Sequence, residues 1–345
     1  MSVSPRKSSG SPAADAAGES ENARHAPRRD SLREISIESL LDNSTSDFDL
    51  WLDVSGRLVL FAPAPYQWTR AELTRLLAEG HRKLFYSTED QSKVEAFVRI
   101  AAIPRVDPGL PPAGRILGLT DAAAELTRVL YEHPLSGSAL KKGKEIASGM
   151  VTTITEDPAS IAALGKLAHH DYYTYYHSAR VAAYALAIAL HMSERAKEHL
   201  EAIALGCIFH DVGKSRIDLA LLNKQGPLTP EEWTVMRQHP LFGAESVQGS
   251  VLEMVPLEII THHHEKLDGA GYPHNLSGQE LLPEVRIAAF ADIFDALTTN
   301  RPYQVSRTRF EALDLIKNRM LGFLDRDVYK AMIEILKLAD SGGKS

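Results

Sequence analysis

The most informative stretch of this chain is His262-His263-His264-Glu265-Lys266-Leu267-Asp268-Gly269-Ala270-Gly271-Tyr272-Pro273. Consecutive histidines beside a carboxylate are costly in an ordinary apolar core, because buried polar groups need partners, but they suit a metal site. Two further elements extend the pattern: His210-Asp211 lies upstream, and Asp292 stands in an apolar run downstream. We therefore expect folding to bring dispersed metal ligands together.

The overall composition is that of a globular protein, with 345 residues, 44% of them hydrophobic and 24% charged. A net charge of -7 provides no general attraction for nucleic acid or an anionic membrane. The single cysteine, Cys207, excludes an intramolecular disulfide, and its apolar neighbours predict a small core residue. The sequence has neither a signal peptide nor a run of the roughly 18–20 apolar residues that spans a membrane, so we expect a cytoplasmic protein.

Four regions follow one another along the chain, and together they predict the α+β class. Residues 1–30 have few bulky apolar side chains and are expected to be a disordered tail. Residues 35–103 read as a small α/β accessory domain, with a hairpin turn at 54–57 and a helix capped by Thr69 and Glu72. Residues 104–118, which begin with a proline-rich segment, predict a linker. Residues 119–340 predict a mostly helical domain.

Within the helical domain, apolar residues recur at helical spacing in seven segments. The predicted helices are Leu119 to His133, Ser138 to Glu156, Asp171 to Met192, Glu194 to His210, Pro230 to Arg237, Pro283 to Thr299 and Arg307 to Met320. The segment from Val181 to Leu190 is apolar nearly all round, which predicts a central buried helix.

Imidazole and carboxylate groups in this region form a candidate ligand set suited to iron, manganese, zinc or nickel. Its members are His177, His210, Asp211, His239, His263, His264 and Asp292. A carboxylate at such a site can give one oxygen to each of two metals about 3.5–4 Å apart. Each residue alone also fits a simpler role, such as a hydrogen-bonded core histidine or a helix-capping aspartate. Their joint occurrence favours a metal centre, and the lack of a cysteine cluster argues against structural zinc.

The ordered motifs across residues 165–338 resemble the HD-GYP family, a subgroup of the HD phosphohydrolase superfamily. They are His177-Ser178-Ala179-Arg180-Val181, His210-Asp211-Val212-Gly213-Lys214, His239-Pro240, His263-His264-Glu265-Lys266-Leu267-Asp268-Gly269, Gly271-Tyr272-Pro273, Ala291-Asp292-Ile293-Phe294-Asp295 and Arg301-Pro302-Tyr303. The family reaction is metal-dependent hydrolysis of cyclic di-GMP to linear pGpG, which some members continue to GMP.

The resemblance also implies a role for each ligand. One metal would be held by His177, His210, Asp211 and Asp292, and the other by Asp211, His239, His263 and His264, so that Asp211 bridges the two. Iron or manganese is the expected metal. Tyr173 stands where some relatives have a glutamate that recruits a third metal, so we expect two divalent ions.

Further implied roles concern the substrate. His210, Asp211 and Lys214 are the expected catalytic residues. Lys214, Arg301 and Tyr272 are the expected contacts to cyclic di-GMP, through phosphate or guanine. Each of these three contacts has an alternative role: Lys214 as a solvated lysine, Arg301 in a salt bridge to Asp295, and Tyr272 as a residue that pins its loop.

Three other residues carry weaker expectations. Glu265 would orient a ligand histidine. Gln304 replaces a basic residue of many relatives, which would weaken phosphate binding. The additional His262 is expected to be exposed or hydrogen-bonded.

Two other functional classes compete with the enzyme. One is a cyclic dinucleotide sensor or an adaptor that docks with GGDEF-domain proteins through Gly271-Tyr272-Pro273. The other is a phosphohydrolase for a different nucleotide. The apolar helix faces suit packing within one chain and in a homodimer alike.

Overall fold

The computed structural model describes residues 27–40, 44–133, 135–167, 173–192, 196–248, 252–299 and 306–342. The predicted α+β class is confirmed, because a small antiparallel sheet with two helices precedes a mostly helical region. Nearly all of the predicted tail, residues 1–30, lies outside the described residues.

The N-terminal region is built from short strands and two helices. The strands are β1 (Leu32–Ser36), β2 (Thr45–Ser46), β3 (Leu50–Val54), β4 (Arg57–Ala62), β5 (Tyr66–Gln67) and β6 (Lys83–Ser87), and the helices are α1 (Arg70–Ala78) and α2 (Gln91–Ala102). Four strands form an antiparallel sheet in the order β1-β6-β3-β4, and β2 pairs separately with β5.

Local sequence signals account for the turns and caps of this region. Ser55 and Gly56 both have positive φ, of 53° and 86°, which is the conformation that a two-residue hairpin turn requires. Thr69 accepts a hydrogen bond from the Glu72 amide in a capping box at the start of α1. Both the hairpin and the capped helix are therefore confirmed.

Helix α2 joins the N-terminal region to the rest of the molecule. Val94 and Phe97 pack into the core beneath the sheet, whereas Ala96, Ile100 and Ile103 belong to the core of the helical region. The boundary proposed near residue 103 therefore crosses a continuously packed segment, and the division into domains stays a prediction.

The helical region contains eleven helices within the described residues. They are α3 (Pro112–Glu132), α4 (Gly137–Glu156), α5 (Tyr173–Met192), α6 (Lys197–Phe209), α7 (Leu219–Leu222), α8 (Pro230–Met236), α9 (His239–Val247), α10 (Met254–His262), α11 (Pro283–Thr298), α12 (Arg309–Arg319) and α13 (Arg326–Gly342). Short 3₁₀ segments include Pro158–Leu167 and Val212–Arg216.

Helix α5 lies at the centre, as predicted for this segment. Every residue from 181 to 189 is buried, and α5 packs against α3, α6 and α11. A helix that is apolar on all sides needs neighbours on all sides, which explains this position.

The main error in the predicted elements is the start of α3. The helix begins at Pro112, so the second half of the predicted linker 104–118 is helical. Proline is favoured in the first turn of a helix, where its missing N–H has no intrahelical partner. The proline-rich segment therefore contains the start of a helix as well as a connecting segment. The helices α7, α9, α10 and α13 were not predicted.

Candidate metal centre

Four helix ends and one helix face converge on a single buried region. His210 caps the C-terminus of α6 and is followed by Asp211, while His239 begins α9. His263 and His264 follow α10, His177 lies on α5, and Asp292 lies on α11. The side chain of His264 is 26% exposed, whereas the other six are almost fully enclosed. The region is thus buried, with an open side at His264.

Asp211 lies between two sets of imidazoles. Its Oδ1 is 3.3 Å from His239 Nε2 and 3.8 Å from His263 Nε2. Its Oδ2 is 3.4 Å from His210 Nε2 and 3.9 Å from His177 Nε2. One carboxylate therefore faces histidines on both sides, a different oxygen to each side.

All seven predicted ligands are brought together in two adjoining groups. In each group the nearest donor atoms lie within 4.8 Å of one another: Asp211, His239, His263 and His264 in the first, and His177, His210 and Asp292 in the second. Asp292 contacts both groups, because its Oδ1 is 3.0 Å from His177 Nε2 and its Oδ2 is 3.7 Å from His264 Nδ1. The resemblance implied Asp211 in both ligand sets, whereas here it falls in the first group only, and the assignment of ligands to two metals stays a prediction.

Backbone carbonyls fix the orientation of three of the histidines. The Nδ1 atoms of His210, His239 and His263 donate to the carbonyl oxygens of Cys207, Met236 and Ile260 at 2.7, 2.8 and 3.1 Å. A carbonyl oxygen only accepts, so the proton lies on Nδ1 and each Nε2 presents a lone pair to the centre. That is the arrangement in which an imidazole binds a metal.

His177 is oriented by a charged pair. Its Nδ1 donates to Asp295 Oδ2 at 2.7 Å, and the buried Arg180 guanidinium donates to Asp295 Oδ1 at 2.6 Å. Asp295 thus holds the inward orientation of His177, while Arg180 compensates its buried charge. The role of Arg180 was not predicted, although its position one helical turn after His177 places both on one face of α5.

The chemistry of the donor set fits metal ions. Within the described residues, His210 Nε2 and Asp211 Oδ1 are buried without a hydrogen-bond partner. Unpaired buried polar atoms are costly, and a cation at this place would satisfy both. Elsewhere in the described residues, no three histidine, cysteine, aspartate or glutamate side chains bring their donor atoms this close together.

Electrostatics hold the donors in the protonation states that a metal requires. Burial lowers the pKa of His239 to about 3 and that of His264 to about 4. Burial raises the pKa of Asp211, but the charges of Lys214 and His210 outweigh it and bring that pKa well below its ordinary value. Neutral His239 and His264 and an ionised Asp211 result near neutral pH, and these are the forms that bind metals. At His177 burial lowers the pKa, but the hydrogen bonds to Asp292 and Asp295 outweigh it and raise that pKa above its ordinary value.

Lys214 lies at the edge of the centre rather than free in solvent. Its Nζ is 2.6 Å from Asp211 Oδ2, and its side chain is only 23% exposed. The alternative of a solvated helix-end lysine is therefore wrong. The ammonium compensates the carboxylate charge at the open side of the site.

The loop with Gly271-Tyr272-Pro273 folds back against the ligands. The Tyr272 ring stacks on the His264 imidazole with centroids 4.8 Å apart, and the guanidinium of Arg237 lies 5.6 Å from the Tyr272 centroid. A Cβ at Gly271 would lie 2.4 Å from Glu265 Cα, so only glycine permits this close approach. In this structure Tyr272 pins its loop, which was one of its two expected roles.

Glu265 does not orient a ligand histidine, and that interpretation is wrong. Its Oε1 accepts a hydrogen bond of 2.6 Å from the amide of His274, and its Oε2 has no hydrogen-bond partner within the described residues. The residue is buried and secures the loop instead, because the loop amide needs an acceptor.

The remaining predicted residues divide into confirmed and undescribed positions. His262 Nδ1 donates to Glu258 Oε2 at 2.9 Å, and its Nε2 shares a hydrogen bond of 3.0 Å with His274 Nδ1, so its hydrogen-bonded role is confirmed. Cys207 is fully buried, as predicted. Arg301 and Gln304 lie outside the described residues. The alternative partner proposed for Arg301, Asp295, is engaged by His177 and Arg180.

A profile of the HD domain family matches residues 166–328. Three curated relatives resemble parts of this chain. A cyclic di-GMP phosphodiesterase of Pseudomonas aeruginosa is 29% identical over 202 residues, which are 57% of this chain and 48% of the relative. A cyclic di-GMP phosphodiesterase response regulator of Xanthomonas campestris is 40% identical, over 34% of this chain and 32% of the relative. A 3′3′-cGAMP-specific phosphodiesterase of Vibrio cholerae is 34% identical, over 48% and 36%. The chain matches less than half the length of each of these relatives.

Among solved structures, an HDG"Y"P protein from Bdellovibrio bacteriovorus superposes with a TM-score of 0.57 at 19% identity. The superposition covers 89% of this chain and 99% of that one, so the shared fold extends over the N-terminal region as well. None of the described helices combines the length and the apolar character needed to cross a membrane.

Proposed function

Since the chain belongs to the HD domain family and carries the HD-GYP motifs, we propose that it is a metal-dependent phosphodiesterase that opens cyclic di-GMP to linear pGpG. The observation that carries the proposal is the position of Asp211, whose two oxygens face two separate sets of imidazoles. A carboxylate shared in this way is the central element of two-metal phosphodiester hydrolysis.

Two divalent ions, iron or manganese, would complete the site. His177, His210, Asp211 and Asp292 would hold one, and Asp211, His239, His263 and His264 the other. Imidazole with carboxylate suits these metals, and the unpartnered His210 Nε2 and Asp211 Oδ1 support their binding. Bound metals supply Lewis acidity, which lowers the pKa of water and neutralises charge on phosphoryl oxygens.

The chain's own residues would orient the substrate on the open side of the centre. Lys214 is one-quarter exposed and already lies against the bridging carboxylate, so a phosphate at this place would meet its ammonium. Cations held by Asp211 would satisfy its charge, which would leave the Lys214 ammonium to bind the phosphate. Arg301 is proposed as a second phosphate or guanine contact by its place in the family motif.

Tyr272 would act by holding the loop against His264 rather than by stacking on guanine. The ring already covers one face of the imidazole, and Arg237 lies beside it. The loop therefore supports a metal-binding histidine and forms one wall of the site. Docking with GGDEF-domain proteins through this loop, and homodimer formation, stay predictions.

A second candidate is cleavage of another cyclic dinucleotide. Curated relatives named as 3′3′-cGAMP-specific phosphodiesterases are as similar to this chain as those named for cyclic di-GMP. Both substrates present a phosphodiester to the same histidine and aspartate side chains, so recognition of the bases would have to separate them.

Turnover by the full chain, purified without oxygen and loaded with manganese or iron, tests the proposal. Chromatography should show pGpG forming from cyclic di-GMP, and neither chelator-treated protein nor the Asp211→Asn variant should form it. A parallel incubation with 3′3′-cGAMP separates the two substrates. Tight binding of cyclic di-GMP by metal-loaded protein, with no product, would instead establish the sensor or adaptor.

A further inference from the structure

A cavity of about 550 Å³ lies where the N-terminal region meets the helical region. The end of α2 and the residues after it form one wall, including Ile100, Ile103 and Arg105, and the first turns of α4 form the other. Small-molecule sites commonly have this volume and occur at such junctions. The cavity is separate from the metal centre, since none of the seven predicted ligands lines it.

The lining is cationic although the whole chain carries a net charge of -7. Arg105, Lys141 and Lys142 line the cavity together with one carboxylate, that of Glu145. Lys142 is largely buried, with its side chain 11% exposed, and its Nζ donates to the carbonyl of Ile103 at 3.0 Å and lies 3.7 Å from Glu145 Oε2. The lining thus carries three cationic side chains and one acidic side chain.

Two further features favour an anion here. Burial lowers the pKa of Lys142, and the positive charge of Arg105 lowers it further, while the charge of Glu145 raises it. The pKa falls overall, as expected where positive charge is incompletely compensated. Lys141 and Lys142 also project from the first turns of α4, and Ser138 of the first turn lines the cavity. A helix N-terminus adds positive potential to theirs.

We infer that this junction is a binding site for a small phosphate ester with a flat apolar body, of the size of a mononucleotide. The phosphate would meet Arg105, Lys141 and the N-terminal turn of α4, and the apolar body would lie along Ile100, Ala101 and Ile103 of the opposite wall. This site and its ligand class are independent of the proposed phosphodiesterase activity.

The site is also in mechanical contact with the metal centre. Gly143 follows Lys142 on α4, and a Cβ there would lie 2.5 Å from Phe209 Cζ, so the ring rests directly on the α4 backbone. Phe209 immediately precedes His210 and Asp211. A ligand that displaces α4 must therefore displace Phe209, because packed interiors have little free space.

Hydrogen–deuterium exchange of the full chain, with and without millimolar AMP, tests the inference. AMP should slow exchange saturably in peptides covering residues 97–105 and 138–145. Reversal of two lining charges, by Arg105→Glu with Lys141→Glu, should weaken this effect at least about tenfold, since charged hydrogen bonds are lost. The matched control is Lys144→Glu, which changes the charge of an exposed residue of the same helix that does not line the cavity.

Three results would overturn the inference. The first is unchanged exchange in both peptides, and the second is equal protection in the double variant, which places AMP elsewhere. The third is equal protection by inorganic phosphate at the same concentration, because the apolar wall would then take no part. Exchange in the peptide covering 205–211 should also change with AMP, and an unaltered peptide would contradict the contact with the metal centre.

Discussion

The substitution Asp211→Asn tests whether one carboxylate serves both groups of ligands or whether the seven ligands act independently. Asparagine keeps the shape of the side chain but replaces one oxygen by an NH₂ group, which has no lone pair for a metal. Oδ1 faces His239 and His263, and Oδ2 faces His210 and His177, so either orientation of the amide deprives one group of its donor. The other group retains only a neutral oxygen.

The expected magnitude follows from that geometry. Loss of a residue that hydrogen-bonds a metal ligand commonly lowers metal affinity about 10–100-fold. Loss of the ligand itself should therefore lower it at least about 100-fold. A 100-fold loss is about 2.7 kcal/mol. At metal concentrations above the dissociation constant, the free energy of unfolding falls by the same amount. For a domain of this size, Tm should fall by roughly 5–11 °C.

The assay combines elemental analysis with thermal unfolding of metal-loaded and chelated protein. The matched control is His239→Ala, which lies in one group only and should reduce the metal content by one ion. Asp211→Asn should weaken both ions, and its Tm deficit should shrink when both proteins are stripped of metal. Wild-type metal content and Tm in Asp211→Asn would refute the shared carboxylate.

Three other changes have expected results. Asp295→Asn should weaken metal binding about 10–100-fold by releasing His177, measured by competition with a chelator, while circular dichroism reports an intact fold; unchanged affinity would contradict the orienting role. Gly143→Ala should lower the free energy of unfolding in urea by about 1–3 kcal/mol through collision with Phe209, whereas Gly137→Ala on the same helix meets open space and should not; equal effects would contradict the packing. In metal-free protein, the low pKa values of His239 and His264, about 3 and about 4, make the unfolded chain take up protons below pH 6.5 that the folded chain does not. Tm should therefore fall as the pH is lowered from 6.5 towards 4, and it should fall less in the double variant His239→Ala with His264→Ala. The raised pKa of His177 has the opposite effect on Tm and is common to both proteins.

Much of the fold could be predicted because its signals are local. The hairpin at residues 54–57, the capping box of Thr69 and the central helix α5 each depend on neighbours in the sequence. The helices α9 and α10 have nine residues each and begin without a side-chain cap, so neither periodicity nor a capping signal identifies them, whereas α1, equally short, has the capping box of Thr69. The start of α3 was obscured because Pro112 signals both a break and a first helical turn.

The candidate site likewise has features that the sequence predicts and contacts that it does not. The metal-ligand types and their order could be read from the sequence, because few folds need so many histidines beside aspartates. The supporting contacts could not, since they join residues far apart in the chain. Arg180 and Asp295 lie 115 positions apart, and Arg237, at the C-terminal end of α8, reaches Tyr272 in the loop after α10. Such partners are selected by tertiary packing rather than by spacing.

Anomalous diffraction from crystals of the full chain grown with manganese or iron would show whether Asp211 bridges two metal ions. We expect two anomalous peaks, one beside each oxygen of Asp211, with His177 and Asp292 at one and His239 and His263 at the other. A single peak or none at full metal loading, with all seven side chains in place, would refute a two-metal site.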